Sequence, residues 1–138
     1  MDGQTLIDIK TDSDGVSMFR NPYCLTIDTK GKYTYVSDWY RNEIIKIDLD
    51  SYETKAVAYM WHPEGITIDE EGFVYVVETG TNKLFYLHPH CEYSEKVILL
   101  HTLPGDWEPF GICFNSAGRK LYVGQAERDT IKVFKVDE

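Results

Sequence analysis

His62-Pro63-Glu64-Gly65-Ile66-Thr67-Ile68-Asp69-Glu70-Glu71-Gly72-Phe73-Val74-Tyr75-Val76-Val77-Glu78 joins two short apolar runs across an acidic turn that ends in glycine. Alternation within each run (Ile66/Ile68, Val74/Val76) is the period of a strand with two distinct faces, and Gly72 supplies the positive φ that a tight reversal needs. The pattern occurs twice more. Placing Pro63 over Pro22 brings Asp69 onto Asp28 and Gly72 onto Gly31; placing it over Pro109 brings Gly65 onto Gly111 and Gly72 onto Gly118.

Each copy continues in the same way. Tyr35-Val36, Tyr75-Val76 and Tyr122-Val123 follow the glycine, then a polar loop, then a further apolar run. Pro22, Pro63 and Pro109 lie 41 and 46 residues apart, a period at which four strands per repeat make a propeller blade. The expected fold is therefore all-β: about three four-stranded NHL-type β-propeller blades, half of a six-bladed ring, in a single domain over residues 1–138. Residues 1–20 read as the end of a blade, 21–60 and 61–105 as complete blades, and 106–138 as a blade lacking its outer strand. The expected strands are 24–28, 33–38, 43–48 and 54–59, then 65–69, 73–77, 83–88 and 95–101, then 110–115, 120–124 and 130–136. Residues 6–10 and 16–19 flank Asp12-Ser13-Asp14-Gly15 and read as a hairpin. No helix is expected.

The chain carries 14 basic and 23 acidic residues, a net charge of −9, so long-range attraction to nucleic acid or anionic lipid is missing. No run approaches a membrane span, and the N-terminus lacks the basic and apolar regions of a signal peptide. Cys24, Cys91 and Cys113 are odd in number and form no Cys-x-x-Cys pair, which points to a reducing, cytoplasmic setting.

Pro-x-Gly-Ile-x-x-Asp-x-x-Gly followed by Tyr-Val, with an asparagine in the next loop (Asn42, Asn82) and an Ile-rich third strand, resembles the NHL repeat. Phe110-Gly-Ile-Cys-Phe-Asn-x-x-Gly, ending in Thr130-Ile-Lys-Val-Phe-Lys-Val, is similar to the C-terminal half of the NHL propeller of invertebrate tripartite-motif proteins. The resemblance covers residues 6–136 and implies a six-bladed recognition propeller whose ligase function resides in other segments. The third repeat departs from the pattern, with Asn115 in place of Asp28 and Asp69, and Gln125 in place of Asp38 and Glu78.

In a meander of four strands, the loop between the second and third strands and the connection from one blade to the next emerge on the same side. That face should gather Asp38, Trp39, Tyr40, Arg41, Asn42, Trp61, His62, Glu78, Asn82, Trp107, Glu108, Gln125 and Arg128. Aromatic and arginine side chains on a rigid loop face are the usual material of binding hot spots; the plainer expectation is that the tryptophans wedge between blades. His88-Pro89-His90-Cys91 offers zinc-compatible ligands but no second cluster completes a set, so no metal is expected. Asp69-Glu70-Glu71 and Asp48-Leu49-Asp50 read as solvated turns, and no hydrolase, Walker or dinucleotide motif is present.

The expected function is thus a non-enzymatic module, without cofactor, that presents its loop face to a protein or peptide. Two alternatives stand beside it. One is a metal-dependent lactonase of the gluconolactonase type, with Glu64, Asn82, Glu108 and Gln125 nearest to a ligand set; the other is an RNA-binding NHL surface, which the charge opposes. Three blades cannot close a ring, so a homodimer completing six blades is expected.

Overall fold

The computed structural model describes residues 3–10, 15–89, 92, 97–105, 108–125 and 129–136. Within them the strands form three separate antiparallel sheets. The first contains β1 (Pro22–Ile27), β2 (Tyr33–Asp38), β3 (Glu43–Asp48) and β4 (Thr54–Tyr59), hydrogen-bonded in that order. The second contains β5 (Pro63–Ile68), β6 (Val74–Glu78), β7 (Lys83–Leu87) and β8 (Val97–Thr102), and the third β9 (Pro109–Asn115), β10 (Lys120–Gln125) and β11 (Ile131–Lys135). β1, β5 and β9 touch one another, so the first strand of each blade is innermost. A single 3-10 turn, Thr79–Thr81, is the one helical element among the described residues, and no helix is long and apolar enough to cross a membrane.

The turns explain why the repeat is legible. Gly31, Gly72 and Gly118 all have positive φ, between 67° and 92°. Ahead of each, an Asx side chain closes the reversal: Asp28 Oδ1 accepts from Lys32 N at 2.8 Å, Asp69 Oδ1 from Glu71 N at 2.9 Å, and Asn115 Oδ1 from Ala117 N at 3.0 Å. Asparagine keeps this turn because the bond needs only an acceptor oxygen.

Cores lie between blades. Tyr35, Ile44, Val57 and Met60 of the first blade meet Ile66, Val74, Val76 and Leu87 of the second; Tyr75, Val77, Leu84 and Leu103 of the second meet Leu121, Val123 and Val136 of the third. The innermost strands approach so closely that a Cβ on Gly65 would run into the Phe110 carbonyl oxygen; here glycine is needed for space rather than for φ.

The outer flanks are open. By register, Ile44, Leu84 and Ile131 occupy one repeat position, as do Tyr35, Tyr75 and Tyr122. The first two members of each set are 0%, 0%, 5% and 2% exposed, whereas Ile131 is 66% and Tyr122 36% exposed. At the other end, Leu25 and Ile27 are exposed while their second-blade counterparts Ile66 and Ile68 are buried and half-buried. Leu25, Ile27, Val36, Ile47 and Leu49 line a groove of about 340 Å³ on that flank, against which Ile9 and Phe19 lie.

The N-terminal hairpin expected at 6–10 and 16–19 does not form as a ladder. Ser17 makes only an isolated bridge and Met18 N donates to Lys10 O at 3.1 Å, while Leu6 is exposed. Two strands alone have no third strand to pack on and are marginal in water. The arm is instead held by the first blade: Arg41 Nη1 donates to the carbonyls of Ser17 (3.2 Å) and Met18 (3.1 Å), and Met18 is buried beside Thr54. The expected turn at 12–14 and the first residues of the strand expected at 95–101 lie outside the described residues.

Candidate partner-binding face

Alternating strand directions bring the β2–β3, β4–β5 and β6–β7 loops to one side. Asp38, at the end of β2, is fully buried and accepts three N–H groups, from Arg20 (2.8 Å), Asn21 (3.0 Å) and Arg41 (3.1 Å). Glu78, at the same repeat position, accepts from Trp61 N at 2.9 Å and from the Thr81 hydroxyl. Both carboxylates, expected on the binding face, are thus engaged in fixing the loops. Asn42 and Asn82 are likewise structural: each sits at φ 56°, and their carbonyls accept Met60 N and Leu103 N. Asparagine tolerates that left-handed backbone better than other non-glycine residues. Asn42 Oδ1 also accepts His62 N (3.0 Å), and Asn82 donates to Gly105 O (2.9 Å).

Held by these bonds, four rings form one cluster. Trp39 stacks on His62 with centroids 4.0 Å apart, meets Tyr40 edge-on at 4.9 Å, and His62 contacts Trp61 at 4.4 Å. Tyr40 and Trp61 are 60% and 46% exposed, whereas Trp39 and His62 are half-buried. The indole of Trp61 lies flat enough on Gly80 to leave no room for a Cβ there. Arg41 is committed to the arm and to Glu43. Glu108 is exposed and Gln125 half-buried, while Trp107 and Arg128 lie outside the described residues.

Glu64 is the residue whose weight the sequence conceals. It is buried on β5, one step after Pro63, at the position filled by Tyr23 and Phe110 in the other repeats. Those two rings touch edge-on at 5.7 Å. One carboxylate oxygen, Oε2, has no hydrogen-bond partner among the described residues. Burial pushes its pKa up, the Thr79 hydroxyl and Trp39 indole pull it partly back, and Glu108 raises it again. A raised folded pKa means that the fold prefers the protonated acid, so stability is lost as pH rises from the ordinary carboxylate range through the folded value. Glu64→Gln, which stays neutral, is expected to raise Tm at pH 7 and to match the parent below about pH 4, the ordinary carboxylate range. Thermal melts at both pH values check this; an equal gain at both would sink the assignment.

On the opposite side, Asp69 is fully buried. It accepts from Phe73 N (3.0 Å), the Tyr75 hydroxyl (2.9 Å) and Arg119 Nη2 (3.3 Å), and Arg119 also pairs with Glu70. Burial and the bond to Asp69 push the Tyr75 hydroxyl well above its ordinary pKa. The cluster bridges the second and third blades. His88 packs against Phe73 and Tyr86; His90 and Cys91 lie outside the described residues. Among the described residues no three His, Cys, Asp or Glu side chains converge as a metal site requires.

No protein-family model matches the chain, and no curated relative does. Solved structures do. A chain of the nidogen/laminin complex superposes with a TM-score of 0.72 at 20% identity, over 86% of this chain and 44% of that one. The fold is that of a β-propeller. Hydrazine synthase of Kuenenia stuttgartiensis matches at 0.70 and 19% identity, over 98% of this chain and 36% of that one, and streptogramin B lyase at 0.64 and 16%, over 86% and 41%. The chain thus spans 36–44% of the length of these three structures.

Proposed function

We propose that the chain is a non-enzymatic recognition module whose loop face takes a protein or peptide partner, in keeping with its resemblance to the NHL propellers of tripartite-motif proteins. The observation that carries this reading is the contiguous cluster of Trp39, Tyr40, Trp61 and His62, anchored to buried strand ends by Asn42 and Glu78. Rings already ordered lose little entropy on binding, and aromatic anchors dominate most interfaces. We propose equally that two copies close the ring, since the flank positions exposed on the third blade are those that a following blade buries in the first and second. A cytoplasmic setting without cofactor belongs to the same reading.

The test uses dodecapeptides selected from a random library on the immobilised chain. Trp61→Ala or Tyr40→Ala is expected to weaken the selected peptides by about 30-fold, the scale of a hot-spot residue. Peptides indifferent to both changes would remove the face from consideration, and lactone turnover abolished by a chelator would replace the reading with a hydrolytic one.

A further inference from the structure

We propose that the loop face recognises a basic side chain of its partner, a lysine ammonium or an arginine guanidinium, received by the rings of Trp39, Trp61 and His62 beside Glu64. The inference rests on the recognition reading above and adds the chemistry of what is recognised.

Asp38 and Glu78 are engaged by backbone and hydroxyl donors. Arg41 is turned away onto the arm carbonyls and Glu43. Glu64 differs from all of these. It is more than nine-tenths buried, and its Oε2 lacks a partner among the described residues. A buried acceptor without a donor costs about 1–3 kcal/mol, more when charged, so a ligand donor there gains what the fold leaves unmade.

A second orphan has the same sign. Gln125 Oε1 is buried without a partner among the described residues. Gln125 pairs in register with Pro109, whose carbonyl takes the Thr79 hydroxyl at 2.8 Å, and that hydroxyl also faces Glu64. The two unsatisfied groups therefore belong to one neighbourhood, and both are acceptors. A ligand that donates several N–H groups suits them, whereas a carboxylate or phosphate would add acceptors where donors are missing.

The rings supply the rest. Trp39 joins the two parts of the site: its indole lowers the pKa of the Glu64 carboxyl and its ring is stacked on His62. Cations are drawn to indole faces, and a carboxylate behind the rings strengthens that attraction. Glu108, exposed near Glu64, and a net charge of −9 favour the approach of a basic segment and oppose an acidic one.

The experiment extends the peptide selection. Selected dodecapeptides are expected to be rich in Arg or Lys, to weaken at least tenfold when that residue is made as citrulline or norleucine, and to weaken similarly on the Glu64→Gln chain, whose melting curve reports that it is folded. Peptides that lose affinity with Trp61→Ala yet ignore either the citrulline or norleucine exchange or Glu64→Gln would overturn the basic-side-chain inference while leaving the recognition reading intact. Peptides dependent on none of these changes would overturn both.

Discussion

Asp69→Ala is expected to destabilise the chain by about 3–5 kcal/mol, the scale for removing one partner from a buried charged network. Four donors converge on this carboxylate: Glu71 N, Phe73 N, the Tyr75 hydroxyl and Arg119 Nη2. Alanine leaves the Tyr75 hydroxyl without its acceptor and Arg119 paired with Glu70 alone, in the contact between blades. Asp28→Ala is the internal control. Asp28 holds the equivalent turn but accepts only Lys32 N and Tyr33 N near solvent, so its loss should cost about 1 kcal/mol. Urea denaturation of both variants separates the two; equal losses would show that the turn, and not the bridge between blades, sets the stability.

In solution the chain is expected to run at twice its mass of 16.0 kDa, and Ile131→Asp is expected to return it to a monomer. Ile44 and Leu84 are fully buried by a following blade while Ile131 stands exposed at the same position, and Leu25 is uncovered where its counterpart Ile66 is covered. Covering a side chain of this size is worth about 1.5–3 kcal/mol, so several such positions at each of two junctions outweigh the cost of association. Twofold symmetry matches each exit flank to an entry flank and leaves no blade uncovered. Light scattering decides it: a cooperatively folded monomer at micromolar concentration would refute the closed pair, as would a dimer unaffected by Ile131→Asp.

Three of the first blade's four strands were legible to the residue, since 33–38, 43–48 and 54–59 coincide with β2, β3 and β4, while β1 runs over Pro22–Ile27 where 24–28 was expected. Three aligned copies distinguish a turn glycine from an incidental one, which a single copy cannot. The segments 6–10 and 16–19 mislead for the opposite reason: their alternation resembles a hairpin, but they have no second copy in the chain to test it against, and the contacts that hold residues 17 and 18 come from Arg41 and Thr54. At the site, loop topology brought Trp39, Tyr40, Trp61 and His62 together correctly. It could not distinguish exposed rings from carboxylates engaged in capping, because the donors to Asp38 and Glu78 come partly from the preceding connection, which only the fold brings to them. Glu64 carried a usable signal, a charged residue on the innermost strand where both other repeats place an aromatic ring.

Hydroxyl side chains stitch the blades together. Ser37 donates to Glu64 O at 2.6 Å, Thr79 to Pro109 O, and Thr67 accepts from Phe114 N at 3.2 Å, whereas each backbone ladder stays within its own sheet. These short side chains tie neighbouring sheets together by single hydrogen bonds beside the apolar cores. Ser37 is fully buried at the first junction, so a longer side chain there is expected to disturb that junction while leaving the ladder within each sheet intact.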